Sequence, residues 1–256
     1  GAGTSGVVAA SANSISSLFL KADGSLWGIG RNLFGQLGDA TNTDCNTPVA
    51  VSGAGTSGVV AMASGGLHSL FLKADGSAWA MGQNAYGQLG DGSTTNRNTP
   101  VAVGGAGSSG VVAVAAGGYH NLFLKADGSV WSVGANLSGQ LGDESTTDRS
   151  TPVAVGGAGT SGVVAVAAGS SHSLLLKNDG SLWALGLNHL GQLGDGSTTN
   201  RSTPVAVGGA GTSGVVAVTG GNHQSLFLKS DGSLWAMGDN GLGQLGDGST
   251  TSRSTP

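Results

Sequence analysis

His68, His120 and His172 recur at a 52-residue spacing, with Ser16 and Gln224 at the same position in the flanking copies. Three imidazoles are a zinc-ligand set. Equivalent side chains of neighbouring repeats stand too far apart to share one ion, however, and the series breaks at both ends. The preferred reading is that each histidine hydrogen-bonds the backbone of its own repeat. The stretch Asp91-Gly92-Ser93-Thr94-Thr95-Asn96 has the oxygen content of a calcium loop but lacks the carboxylate spacing and the bidentate Glu. Turn formation and backbone capping explain its Asp, Ser and Thr better. Arg97, Arg149, Arg201 and Arg253 share one loop position, filled by Cys45 in the first copy. Each Arg is expected to pair with a loop Asp such as Asp91 or Asp143. Cys45 reads as an incidental thiol or as an intermolecular link. Ser171-His172-Ser173 has no acid beside it, and the hairpin Asp (Asp23 and its equivalents) and the Asp of Gly-Gln-Leu-Gly-Asp each recur in all five units. An active site breaks repeat symmetry with a unique nucleophile or acid pair, so neither catalysis nor a cofactor is expected.

Composition narrows the partner classes. Among 256 residues only 9% are charged, the formal net charge is −4, and no basic block occurs. Nucleic-acid binding needs clustered Lys or Arg to release counterions, so that class is disfavoured. No apolar run approaches the ~20 residues of a membrane helix, so no membrane insertion is expected. A single cysteine excludes an internal disulfide framework. The chain does not begin with Met and reads as a mature form or a fragment.

The elements that position these residues come from a repeat. Trp27, Trp79, Trp131, Trp183 and Trp235 keep one spacing, as does the string Gly-Gln-Leu-Gly-Asp around Gln36, Gln88, Gln140, Gln192 and Gln244. The units are 1–52, 53–104, 105–156, 157–208 and 209–256, in a single domain; the last stops four residues short. Within 105–156, four short apolar runs alternate with turn chemistry: Val111 to Ala116, Leu122-Phe123-Leu124, Val130 to Val133, and Val153-Ala154-Val155 opened by Pro152. Asp127-Gly128 between the second and third is a strong hairpin signal. Runs this short, bounded by Gly and Asp, read as strands. They are apolar throughout rather than alternating, which implies burial on both sheet faces. Four strands per unit, repeated radially, make the blade of an all-β propeller. Closing the array hides apolar end faces that a linear stack would expose.

The strings from Ala115 to Trp131 and from Asn136 to Asp143 resemble the regulator-of-chromosome-condensation repeat family, over essentially the whole chain. The resemblance implies four-stranded antiparallel blades, usually seven to a ring. Five units predict either a five-bladed ring or part of a seven-bladed one. Guanine-nucleotide exchange, as in the best-known eukaryotic members, depends on an inserted wedge, and no unit carries an insertion. The scarcity of Lys and Glu and the Ser/Thr/Gly-rich loops look like bacterial secreted or cell-surface members.

Highly similar repeats allow a comparison inside one chain. Invariant positions build the blade, and variable positions are free of that duty. Variation concentrates before Gly-Gln, where Phe34, Tyr86, His189, Leu190 and Leu242 occur, and after the glycine pair, where Leu67, His68, Tyr119, His120, His172 and His223 occur. In an antiparallel meander both sites fall at one end of the blade, so the variety lies on one face of the ring. Aromatic side chains are favoured at recognition surfaces. The expected function is a non-enzymatic scaffold presenting that face to a protein partner, an inhibitor-like docking mode included. The alternatives are a lectin-like propeller with several glycan sites and a structural or engineered array without ligand. Self-association is expected if the ring is incomplete.

Overall fold

The computed structural model describes residues 4–209 and 212–256. Each repeat folds as one antiparallel meander. In the third blade the strands are Val111–Ala116, His120–Lys125, Val130–Gly134 and Arg149–Ala154. The hairpin between the second and third strands is fixed by Asp127, whose Oδ1 accepts from the Ser129 amide at 2.9 Å and hydroxyl at 2.6 Å. Gly128 supplies the positive φ of 79° that the turn requires. The same Asp-x-Ser contact recurs in all five blades.

Blades stack side by side, and alternate residues of one strand serve different neighbours. Phe123 and Val133 pack with Leu70, Leu72, Ala80 and Leu89 of the second blade. Leu122, Leu124 and Val130 pack with Val163, Leu175 and Leu185 of the fourth. Two-sided burial holds for the second and third strands, whereas the first and fourth, also expected to be buried on both faces, are partly exposed, Val112 by 54%. Each apolar side chain contributes about 1.5–3 kcal/mol when fully buried. The first strands lie innermost, their ends lining an axial cavity of about 600 Å³ with Asn13, Gly65, Gly117, Gly169 and Gly221.

One further expectation is corrected, and one of the two ring arrangements left open is set aside. The fourth strand does not open at its proline. It begins at Arg149, and Pro152 sits where the register slips between the Ser132 and Gly134 partners. The outermost strand tolerates the missing N–H because that flank has no further ladder to feed. The closed five-bladed circle is not formed either. Among the described residues, the sheet packing that joins successive blades has no counterpart between the fifth blade and the first. Leu234 is 67% exposed, whereas its counterparts Leu26 and Leu182 are 2% and 1% exposed. The five blades form an arc. In the fifth, three strands pair, and a single bridge from Gly238 to Arg253 marks the fourth position.

Candidate functional site: the loop face across blade boundaries

The turn after the first strand and the loop after the third emerge at the same end of each blade. His120 pairs with Gly134, and Gly134 with Arg149. The loop's first residue is then tied to the turn: Ala135 N donates to Tyr119 O at 2.9 Å, and Gln83, Leu187 and Asp239 repeat the bond with Leu67, Ser171 and His223.

The invariant residues make this loop rigid. Asn136 is fully buried. Its Nδ2 donates to Asp143 Oδ1, Ser145 O and Thr147 O at 3.0–3.2 Å, and its Oδ1 accepts from Leu141 N at 2.9 Å. Gln140 Oε1 accepts from Ser138 N at 3.0 Å. Gly139 lies against the next blade: a Cβ there would come within 2.5 Å of Ser202 Cα. The recurrent string Gly-Gln-Leu-Gly-Asp is therefore scaffolding for the residues in front of it.

Arg97 Nε and Nη2 both reach Asp91 Oδ2, at 2.9 and 2.8 Å. Arg149, Arg201 and Arg253 bind Asp143, Asp195 and Asp247 in the same way. Burial opposes ionisation of Asp91, and hydrogen bonds from Ser93, Arg97 and Asn84 outweigh it, holding the carboxyl below its ordinary range. An arginine thus occupies the carboxylate that a calcium reading would need. In the first blade Cys45 Sγ stands 3.7 Å from Asp39 Oδ2. Burial, with Asp39 beside it, raises the thiol pKa.

His68, His120 and His172 depart from expectation. All three are fully buried, so they cannot touch a partner, and their side-chain bonds cross to the next blade instead of staying in their own. His68 Nε2 meets Asn121 Oδ1 at 2.8 Å, while Asn121 Nδ2 donates to Gln88 O, also at 2.8 Å. His120 and His172 grip Ser173 and Ser225 at 3.0 and 2.9 Å, and those hydroxyls donate to Gln140 O and Gln192 O. With Asn and Ser already donating to a carbonyl, each histidine must carry its proton on Nε2. The bare Nδ1 has no partner and faces Gly65, Gly117 or Gly169, where a Cβ would collide with the ring. Desolvation pushes the pKa of His68 and His172 down to about 4. In His120 it reaches about 3, with the neighbouring histidines adding to the effect. At the first boundary, where Ser16 replaces histidine, Asn13 Nδ2 crosses to Gly65 O at 2.7 Å instead.

The remaining variable residues lie at the surface. Tyr86 of the second blade meets Tyr119 of the third, rings tilted with centroids 5.2 Å apart, each residue 36% exposed. His189 of the fourth blade meets His223 of the fifth, edge to face at 5.4 Å. The loop of one blade therefore faces the turn of the next. Leu242 is 93% exposed, and Phe34, Leu67 and Leu190 are half-buried. Leu33 and Leu137 were not singled out from sequence, yet they are 52% and 77% exposed on the same loops. Their signal was their repeat position, shared with His189. Among the described residues no three His, Cys, Asp or Glu side chains gather as a metal site.

The invariant tryptophans are half-buried. Trp79 lies against Gly55, where a Cβ would come within 2.5 Å of the indole, and Lys73 Nζ stands 5.8 Å from its centroid. Gly107 and Gly159 cover Trp131 and Trp183 in the same way, whereas Trp235 lines a pocket on the uncovered flank of the fifth blade.

Together these features define a β-propeller of four-stranded blades carrying variable side chains on a rigid loop face. The chain belongs to the RCC1-like domain family, whose model matches residues 2–256. It is 34% identical over 200 residues, 77% of its length, to the human protein named probable E3 ubiquitin-protein ligase HERC4, of which that stretch is 19%. It is 30% identical to the ultraviolet-B receptor UVR8 of Arabidopsis thaliana, over 90% of this chain and 52% of the receptor. The chain thus spans between a fifth and about half of these relatives. Human WBSCR16 superposes with a TM-score of 0.86 at 26% identity, covering 98% of this chain and 66% of that one. Prp20p of Saccharomyces cerevisiae, described with its binding to Gsp1p and histones, superposes at 0.71 with 20% identity, over 98% of this chain and 76% of that one, and shows the fold alone. These relatives are human, plant and yeast proteins, and they lend no support to the expected bacterial, secreted or cell-surface origin. No helix among the described residues is long and apolar enough to cross a membrane.

Proposed function

We propose that this propeller is a non-enzymatic scaffold that binds a protein partner through the loop face. The observation that carries the reading is the meeting of variable side chains across blade boundaries, Tyr86 with Tyr119 above all, on loops whose invariant residues hold them in place. Preformed surfaces bind with little ordering cost, and Tyr presents large amphipathic area with few rotatable bonds. The contact set is Leu33, Phe34, Leu67, Tyr86, Tyr119, Leu137, His189, Leu190, His223 and Leu242. His68, His120 and His172 are left out because they are buried. Binding of protein partners by relatives supports the reading: the yeast RCC1 protein Prp20 is described in complex with Kap60, and Prp20p with Gsp1p and histones.

The covering of Trp79, Trp131 and Trp183 and the unit-by-unit variation disfavour a glycan reading with equal sites. Self-association is a second reading, favoured by the uncovered Leu228 and Leu234 flank of the last blade; a solution mass independent of concentration would remove it. The test of the main reading compares two forms as bait in a eukaryotic lysate, the parent chain and Tyr86→Ala/Tyr119→Ala, alongside a glycan array. A protein retained by the parent and lost by the variant is expected. Equal retention by both, or several equal sugar sites, would overturn it.

A further inference from the structure

Three of the five histidines are locked between blades, which leaves His189 and His223 as the imidazoles at the surface. They come from different repeat positions, so no alignment of the units pairs them. The fold does so by setting the loop of the fourth blade against the turn of the fifth, with ring centroids 5.4 Å apart. At the boundary between the second and third blades, Tyr119 stands at the position of His223 and meets Tyr86, one residue beyond the counterpart of His189.

We propose that His189 and His223 form a two-imidazole site for a late first-row divalent cation such as zinc, bridging the fourth and fifth blades. The separation is the one such a site needs. A zinc–nitrogen bond of about 2.0–2.1 Å at a tetrahedral angle sets two imidazole centroids about 5 Å apart. Imidazole nitrogens suit zinc, nickel and copper ahead of the hard cations. Nδ1 of His223 has no hydrogen-bond partner to give up. The two rings stand at 71°, edge to face. The Cβ–Cγ torsion of histidine is broad and soft, so ring rotation is the adjustment that would bring one nitrogen of each ring onto a shared ion. Both backbones are already fixed: Leu190 N donates to Gln192 Oε1 at 3.0 Å, and Asp239 N donates to His223 O at 2.9 Å. Because His189 is exposed, water completes the coordination, and the ion keeps open positions toward the solvent on the variable face.

The test uses the full chain carrying Cys45→Ser, which removes the one thiol, titrated with zinc chloride in a calorimeter. One ion per chain is expected. His189→Ala and His223→Ala, each made in that background, should weaken binding at least tenfold. A second readout is thermal unfolding: saturating zinc should raise Tm in the parent and leave both variants unshifted. The absence of one-site binding, or retention of it in either alanine variant, would overturn the assignment.

Discussion

Lowering the pH from 7 to 5 is expected to loosen the propeller at its blade boundaries. His68, His120 and His172 are neutral in the fold, with bare Nδ1 atoms that no acceptor faces. Their pKa values fall from 6.5 to about 4, 3 and 4. The unfolded chain protonates near 6.5, so below that pH it binds protons the native state refuses. The stability these residues supply is complete above 6.5 and declines as the pH drops toward 4. Each contributes about 1.4 kcal/mol per pH unit within that window, and the three together roughly 4 kcal/mol per pH unit. Carboxylates add little above pH 5, because the buried-loop and hairpin aspartates titrate below their ordinary 3.8. Urea unfolding followed by tryptophan fluorescence at pH 7, 6 and 5 measures the slope. The control is His68→Gln/His120→Gln/His172→Gln, since glutamine already stands at this position as Gln224. The slope should flatten in that variant. A parent whose stability is level between pH 7 and 5, or a variant with the parent's slope, would refute the reasoning.

Three further outcomes follow from the loop scaffold. Asn136→Ala strands the Leu141 amide and two carbonyls inside the loop; a loss of about 3 kcal/mol is expected in chemical denaturation. Gly139→Ala, at φ 82° with its Cβ driven into Ser202, should cost at least twice as much as Gly110→Ala, where φ is 67° and the nearest atom is a lysine carbon at 3.9 Å; paired melting curves decide it. Cys45→Arg should restore in the first blade the ion pair that Arg97 makes with Asp91, raising stability by ~0.5 kcal/mol at low salt and less at high salt.

Much of the fold was legible because the repeat exposes its own constraints. The strand Val111–Ala116 matches the first apolar run residue for residue, but of the runs without alternation only the second and third are buried on both faces; the first leaves Val112 54% exposed. Pro152 misled because a proline within an edge strand at a register slip looks, in sequence, like a strand's beginning. Blade closure was not legible: it depends on how successive blades pack, as Phe123 and Leu175 do at their boundaries, and no spacing encodes it. The candidate face was located by comparing units, since both variable segments fall where the ladder places them. Burial split that set. His120 and Tyr119 are adjacent in sequence, yet Tyr119 ends the exposed turn while His120 opens the buried strand, so one goes to the surface and the other into the boundary. Contacts between repeats, such as His189 with His223, have no signature in any single unit.

The most direct test of a binding face is hydrogen–deuterium exchange, read with and without a captured protein partner. Protection should appear in the loops and turns around 33–34, 67, 86, 119, 137, 189–190, 223 and 242. The Asp-Gly hairpins at 75–76, 127–128 and 179–180, at the opposite end of the blades, should exchange as in the free chain. Protection centred on those hairpins, with the loop face unchanged, would contradict the account.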